Sequence, residues 1–114
     1  MVISQGDVCW ADFGRTAGSG PAHRRPAVVV QCDAFNRSRI ATVLCVPLTS
    51  DLRRADAPGN VLLSSEMTGL PSDSVANVSQ VVALDKRALG DALGSLDKAK
   101  LGLVLSGIEV VLGR

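Results

Sequence analysis

The first two thirds of the chain alternate short apolar runs with polar or glycine-rich segments, a pattern typical of a mainly β protein. Candidate strands cover residues 8–11, 26–30, 40–48, 60–63 and 74–84. Residues 26–30 (PAVVV) are apolar on both faces, which predicts a central, buried strand that opens on a proline. Residues 14–25 and 51–59 carry no apolar pattern and are predicted loops.

Helical periodicity appears only near the end of the chain. The apolar positions at one-sided helical spacing are Leu101, Val104, Leu105, Ile108, Val111 and Leu112. Asp97 is a predicted N-cap, and Leu96 and Leu101 are placed to form a hydrophobic staple around it. Gly102 and Gly107 each weaken a helix by about 1 kcal/mol relative to alanine. We therefore expect this helix to depend on docking against the strands.

Asp85 is a second N-cap candidate, and we expect a helical turn or two after it that ends at Gly90. Several short strands followed by one amphipathic helix predict a small, twisted, partly closed barrel with a terminal α-helix. The chain has 114 residues, of which 46% are hydrophobic. This length fits a single domain over residues 1–114.

The net charge of +1 at pH 7 conceals an uneven distribution. Residues 1–54 carry a net charge of +3 and residues 55–114 a net charge of −2. The basic excess of the first half consists of arginines in predicted loops: Arg15, Arg24, Arg25, Arg37, Arg39, Arg53 and Arg54. Guanidinium groups suit phosphate oxygens, although an ordinary solvated surface would show the same pattern.

Other features exclude several classes of site. With one histidine, His23, and scattered carboxylates, the sequence shows no metal-ligand spacing, so we expect no metal and no cofactor. The three cysteines, Cys9, Cys32 and Cys45, lie in apolar stretches without a C-x-x-C motif, which predicts buried free thiols in a reducing cytoplasm. The apolar runs are too short to span a bilayer, so we expect a cytoplasmic protein without membrane contact.

Two strand ends carry candidate chemistry. Arg25 stands at the entry to the predicted buried strand, where a rigid element would hold its guanidinium; the alternative is a surface charge that closes the sheet. Thr49 and Ser50 follow the third apolar run, just before the loop with Arg53 and Arg54. A hydroxyl at this position can also simply satisfy the backbone at the strand end.

Four segments in order resemble the MazF/PemK family of bacterial toxins, the endoribonuclease half of type II toxin–antitoxin pairs. Residues 6–13 (GDVCWADF) are similar to its opening strand. Residues 25–30 (RPAVVV), preceded by Gly18 and Ser19, are similar to its second segment. Residues 46–50 (VPLTS) and 73–89 (DSVANVSQVVALDKRAL) correspond to the later two. The resemblance covers nearly the whole chain.

This resemblance implies a CcdB/PemK-like fold, a small SH3-like barrel, and a homodimer that acts on single-stranded RNA and binds a cognate antitoxin. It implies metal-independent, sequence-specific cleavage by 2′-hydroxyl attack on the adjacent phosphate, leaving 2′,3′-cyclic phosphate and 5′-hydroxyl ends. Arg25 and Thr49 are the implied catalytic pair. Because the arginine pKa exceeds about 12, we expect Arg25 to stabilise the charged transition state rather than act as a base. The implied RNA-binding residues are Arg15, Ser19, His23, Arg24, Ser50, Arg53, Arg54 and Gln80.

One departure from the family pattern lies in the first loop. The family commonly carries an acidic residue after Gly-Ser, where this chain has Gly20. That difference puts the carboxylate's roles in RNA positioning or proton handling in doubt. His23 and Arg24 lie in the same predicted loop, and His23 is suited to proton transfer near pH 7, with a solvated loop histidine as the alternative.

Two other functions stay open at this point. One is a non-enzymatic toxin like the gyrase poisons related to CcdB, which share the fold and dock through the end of the C-terminal helix. Those proteins end in an aromatic-containing tail, whereas this chain ends in Val-Val-Leu-Gly-Arg, residues 110–114. The other is an inactive family member that only binds antitoxin.

Overall fold

The computed structural model describes residues 2–15 and 22–114, without the side chains of residues 15, 22 and 23. Over these ranges the strands are β1 Asp7–Arg15, β2 Ala22–Val29, β3 Thr42–Thr49, β4 Val61–Leu63, β5 Ser74–Ala76, β6 Val82–Asp85 and β7 Leu89–Ser95. The helices are α1 Asp33–Asn36, α2 Ser65–Thr68 and α3 Lys98–Leu112. Single 3₁₀ turns cover Leu52–Asp56, Val78–Gln80 and Lys86–Ala88.

All the strands described belong to one antiparallel sheet in the order β4-β5-β3-β2-β1-β7. The long β3 has three neighbours, because β6 pairs with its first half while β5 pairs with its end at Leu48 and Thr49. A strand shared in this way makes the sheet curl. The predicted mainly β fold, a partly closed barrel with a terminal helix, is confirmed.

Both faces of the central strands are buried, as residues 26–30 predicted. Consecutive strand residues point to opposite faces. Val28 packs with Val8 and Val46 in one cluster, which also contains Val104 of α3. The neighbouring Val29 belongs to the second cluster, which includes the residues Ala11, Ala27, Val43, Cys45 and Leu89. The β1–β2–β3 ribbon therefore lies between the two core clusters.

The loop predicted over residues 14–25 is shorter than expected. β1 continues to Arg15 and β2 already begins at Ala22, so Arg25 lies inside β2, opposite Ala11, rather than at the strand entry. The polar composition of this segment obscured the pairing, because strand propensity depends on cross-strand partners.

The prediction of a helical turn or two between Asp85 and Gly90 is wrong beyond the first turn. Asp85 accepts a hydrogen bond from the backbone N–H of Arg87, but only a 3₁₀ turn follows, and the chain then forms β7 along the edge of β1. A Cβ at Gly94 would lie 2.5 Å from the Met67 carbonyl oxygen, so β7 packs closely against α2. This tertiary packing, rather than local propensity, makes residues 89–95 a strand.

The terminal helix is confirmed, including its cap, since the Asp97 carboxylate accepts a hydrogen bond from the Lys100 N–H at 2.8 Å. Val104 is buried. The expectation that Val111 and Leu112 join the buried face is wrong, because they are 42% and 63% exposed. No helix in the described ranges is long and apolar enough to cross a membrane.

The cysteine prediction is correct at two positions and wrong at the third. Cys9 and Cys45 are buried free thiols, and burial raises the pKa of Cys9 to about 11 and that of Cys45 to about 12. Cys32 is exposed, because β2 ends before it and the chain turns there into α1.

Candidate active site

A cavity of about 270 Å³ opens at the end of β3, beside the Arg25–Pro26 part of β2. Its apolar lining consists of Trp10, Pro26, Leu48, Leu70 and Pro71, and its polar lining of Arg25, Thr49, Ser50, Ser72 and Ser74. Leu48 and Leu70 belong to the main core, so the cavity floor is anchored. A concave apolar floor with a few polar groups at one side is the usual form of a ligand site.

The sheet register explains why Arg25 and Thr49 share this cavity. The ladder between β2 and β3 ends at the pair Ala27 and Pro47. Two residues further along each antiparallel strand lie Arg25 and Thr49 respectively. Because residues at equivalent positions of paired strands point to the same side, the guanidinium and the hydroxyl start from neighbouring positions. Both residues are half-buried.

Thr49 is oriented by the backbone that follows it. Its Oγ1 accepts a hydrogen bond from the Asp51 N–H at 3.1 Å. A hydroxyl that accepts one hydrogen bond keeps its own hydrogen available as a donor. Thr49 therefore satisfies the strand-end backbone, and this hydrogen bond does not use the hydrogen of its hydroxyl group.

Arg53 and Arg54 form a small charge cluster with Asp51 beside the cavity. Arg53 donates from Nε and Nη2 to the two carboxylate oxygens at 3.0 and 3.2 Å, and Arg54 lies 3.8 Å away. The Arg53 guanidinium lowers the pKa of Asp51, and the carboxylate in turn raises the pKa of Arg53. Neither arginine lines the cavity. Part of the predicted basic loop is thus internally neutralised.

Arg24 and Arg25 are each placed over an aromatic ring of β1. The Arg24 Cζ lies 5.8 Å from the centroid of Trp10, and the Arg25 Cζ lies 5.7 Å from that of Phe13. Both distances are within the range of cation–π attraction. Neighbouring residues on β2 point to opposite faces, so the two pairs lie on opposite sides of the ribbon.

The other predicted RNA-binding residues are placed as follows. Ser50 lines the cavity, and Gln80 is exposed on the 3₁₀ turn Val78–Gln80, outside the cavity lining. The backbones of Arg15 and His23 belong to β1 and β2, while their side chains, like the whole of Ser19, lie outside the described residues. Within the part of the chain that the structure describes, no group of three or more His, Cys, Asp or Glu side chains is placed to hold a metal ion.

The sequence did not assign the apolar lining or the 70–74 segment to the site. Residues 69–73 lie between the candidate strands 60–63 and 74–84. The pairing of β5 with the end of β3 brings Ser74 and its neighbours to the cavity. A contact between strands this far apart in sequence leaves no local signal.

Comparison with known proteins supports the resemblance. A model of the family described as "PemK-like, MazF-like toxin of type II toxin-antitoxin system" matches residues 4–112. The chain is 45% identical to "Endoribonuclease MazF6" of Mycobacterium tuberculosis, covering 98% of each chain. It is 30% identical to "Endoribonuclease EndoA" of Bacillus subtilis, covering 98% of this chain and 96% of the relative. The chain belongs to the PemK-like, MazF-like toxin family.

The fold comparison agrees with this membership. The MazE–MazF crystal structure (Form-II) from Deinococcus radiodurans superposes with a TM-score of 0.81 at 25% identity, covering 100% of this chain and 98% of that chain. An endoribonuclease in complex with its cognate antitoxin, from a mycobacterial species, has a TM-score of 0.77 at 27% identity, covering 97% and 95%. In this MazF-like toxin, Arg25 and Thr49 are the strongest candidates for the reacting site.

Proposed function

We propose that this MazF-like toxin is an endoribonuclease that cleaves single-stranded RNA at the cavity holding Arg25 and Thr49. Relatives that match over nearly the whole chain carry the name endoribonuclease, which supports the activity. The observation that carries the assignment of the site is the meeting of two sequence-distant groups, a guanidinium and a hydroxyl donor, at one cavity.

The proposed reaction is an internal transesterification. The ribose 2′-oxygen loses its proton and bonds to the adjacent phosphorus, the P–O5′ bond breaks, and the leaving 5′-oxygen takes up a proton. Negative charge gathers on the non-bridging oxygens in the transition state. Arg25 and Thr49 stabilise that charge by donating hydrogen bonds from fixed positions, a role that needs no metal ion. Trp10, Leu48 and Leu70 form the apolar part of the cavity lining beside these two groups.

The remaining proposals concern the context of the reaction. RNA-binding roles are proposed for Arg24 and Ser50 near the cavity, and for Arg15, Ser19, His23, Arg53, Arg54 and Gln80 beyond its described lining. We also propose a cytoplasmic homodimer, inhibited by a cognate antitoxin whose acidic segment competes with RNA for the arginines. Solved relatives in complex with an antitoxin support that partner. Light scattering of the purified protein, alone and with antitoxin, tests both assemblies.

Cleavage in the presence of excess EDTA tests the reaction class. The protein is incubated with a single-stranded RNA and with the same RNA annealed to its complement, and the product ends are analysed. We expect cleavage of the single strand only, with 5′-hydroxyl ends that a kinase labels without prior phosphatase treatment. Loss of activity in EDTA, or 5′-phosphate ends, would contradict the mechanism. A protein without nuclease activity on any RNA would favour the non-enzymatic toxin or the inactive antitoxin binder.

A further inference from the structure

Phe13 is the aromatic residue beneath the guanidinium of Arg25. It lies near the end of β1, is half-buried, and packs against the second core cluster of Ala11, Ala27 and neighbouring residues. Ala11 is paired directly with Arg25, so Phe13 is the diagonal neighbour of Arg25 on the same face. The ring of Phe13 thus packs against this core cluster, and the Arg25 Cζ lies over the ring, 5.7 Å from its centroid.

The backbone beside Phe13 forms a bulge that fixes the orientation of the ring. The β1–β2 register shifts between Asp12 and Arg15, which marks a bulge, and Gly14 has φ +83°. The Asp12 carboxylate accepts a hydrogen bond from the Gly14 N–H at 2.8 Å and so holds this conformation. Bulges bend a strand and redirect its side chains. The position of the ring is therefore built into the strand.

An aromatic ring and a carboxylate affect the charge and the N–H donors of an arginine differently. Asp51 neutralises Arg53 and takes up two of its N–H groups. Phe13 attracts the cation through its π electrons and has no lone pair that would take up an N–H. Among the described residues, Arg25 forms no salt bridge and donates no side-chain hydrogen bond. Arg25 is thus held in place with its charge and donors available.

We propose that Phe13 is a positioning residue that preorganises the Arg25 guanidinium for the phosphate in the transition state. The inference rests on the proposed function, because it assigns to Phe13 an effect that acts only through Arg25. A guanidinium on a flexible side chain must be ordered before it can stabilise the reacting phosphate. The ring of Phe13 supplies that order in advance.

Three variants distinguish an effect of Phe13 on the position of Arg25 from an effect on the stability of the fold. Phe13→Leu keeps an apolar side chain but removes the ring, Phe13→Tyr keeps the ring, and Leu84→Ala removes another half-buried side chain from the same cluster. Loss of a cation–π contact predicts a kcat for Phe13→Leu that is about 3- to 30-fold lower. KM should change less than about twofold, since the lost order affects the transition state. Phe13→Tyr should have the native kcat. Leu84→Ala should also have the native kcat when it is assayed below the melting temperature of that variant.

A double-mutant comparison tests whether Phe13 acts through Arg25. In an Arg25→Ala background, Phe13→Leu should have no further effect on the residual rate. An unchanged kcat in Phe13→Leu alone, or an equal loss in both backgrounds, would overturn the proposal.

An NMR measurement decides the inference independently of RNA cleavage. The order parameter of the Arg25 Nε–H group should fall in Phe13→Leu and recover in Phe13→Tyr, with the signal assigned from Arg25→Lys. Equal order in the native protein and Phe13→Leu would refute the role of the ring. If the native protein fails to cleave RNA, the proposed function fails, while this comparison still shows whether Phe13 orders Arg25.

Discussion

Replacing Thr49 by valine removes one hydroxyl from the candidate site and keeps the β-branched shape of the side chain. The structure separates two consequences. Loss of the acceptor for the Asp51 N–H, which lies at a partly exposed strand end, should lower the free energy of unfolding by about 0.5–1.5 kcal/mol. Loss of a donor to the transition state should raise the barrier by about 2.7–4 kcal/mol, a factor of about 100 to 1,000 in kcat.

Single-turnover cleavage of a defined single-stranded RNA measures this effect, with thermal unfolding as the stability control. The matched control is Thr49→Ser, which keeps the hydroxyl and the hydrogen bond to Asp51 and should retain kcat within about tenfold. If Thr49→Val cleaves as fast as Thr49→Ser, the hydroxyl is a backbone cap only, and the assignment of Thr49 to catalysis is wrong.

The remaining predictions concern the scaffold. Gly107→Ala should lower the free energy of unfolding by more than about 1 kcal/mol, because the added Cβ would collide with the Gly59 carbonyl. Gly102→Ala has open space around the added Cβ and should raise the free energy of unfolding by about 1 kcal/mol. Urea unfolding measures both changes. At pH 8 a thiol reagent should modify Cys32 alone, and modification of Cys9 or Cys45 before denaturant is added would contradict their burial. Because the folded state keeps both buried thiols protonated, the free energy of unfolding should fall as the pH rises from 9 to about 11, and a flat profile would contradict their raised pKa values.

Local patterns in the sequence predict the elements whose signal is contained within a few residues. The run of residues 26–30 contains the buried part of the central strand β2, which begins earlier, at Ala22, and ends at Val29, and Asp97 caps the terminal helix as expected. The position of Thr49 at the end of β3 was also visible, although Arg25 lies inside β2 and only the sheet register brings the two residues together.

Features that depend on tertiary partners could not be read from the sequence. β7 contains two glycines and polar residues, and it becomes a strand because β1 offers a free edge and α2 packs on Gly94. The charge cluster at Asp51 and the ring beneath Arg25 depend on side-chain distances. The place of Trp10 in the cavity lining likewise depends on how the strands pack.

The central claim is that Arg25 stabilises the reacting phosphate in this cavity. Its most direct test is the single-turnover cleavage rate of Arg25→Ala and Arg25→Lys on single-stranded RNA in EDTA, beside the native protein. We expect a loss of at least about 100-fold in Arg25→Ala, with partial activity in Arg25→Lys, which keeps the charge but not the fork of N–H donors. An Arg25→Ala protein that is folded and cleaves at the native rate would contradict the account.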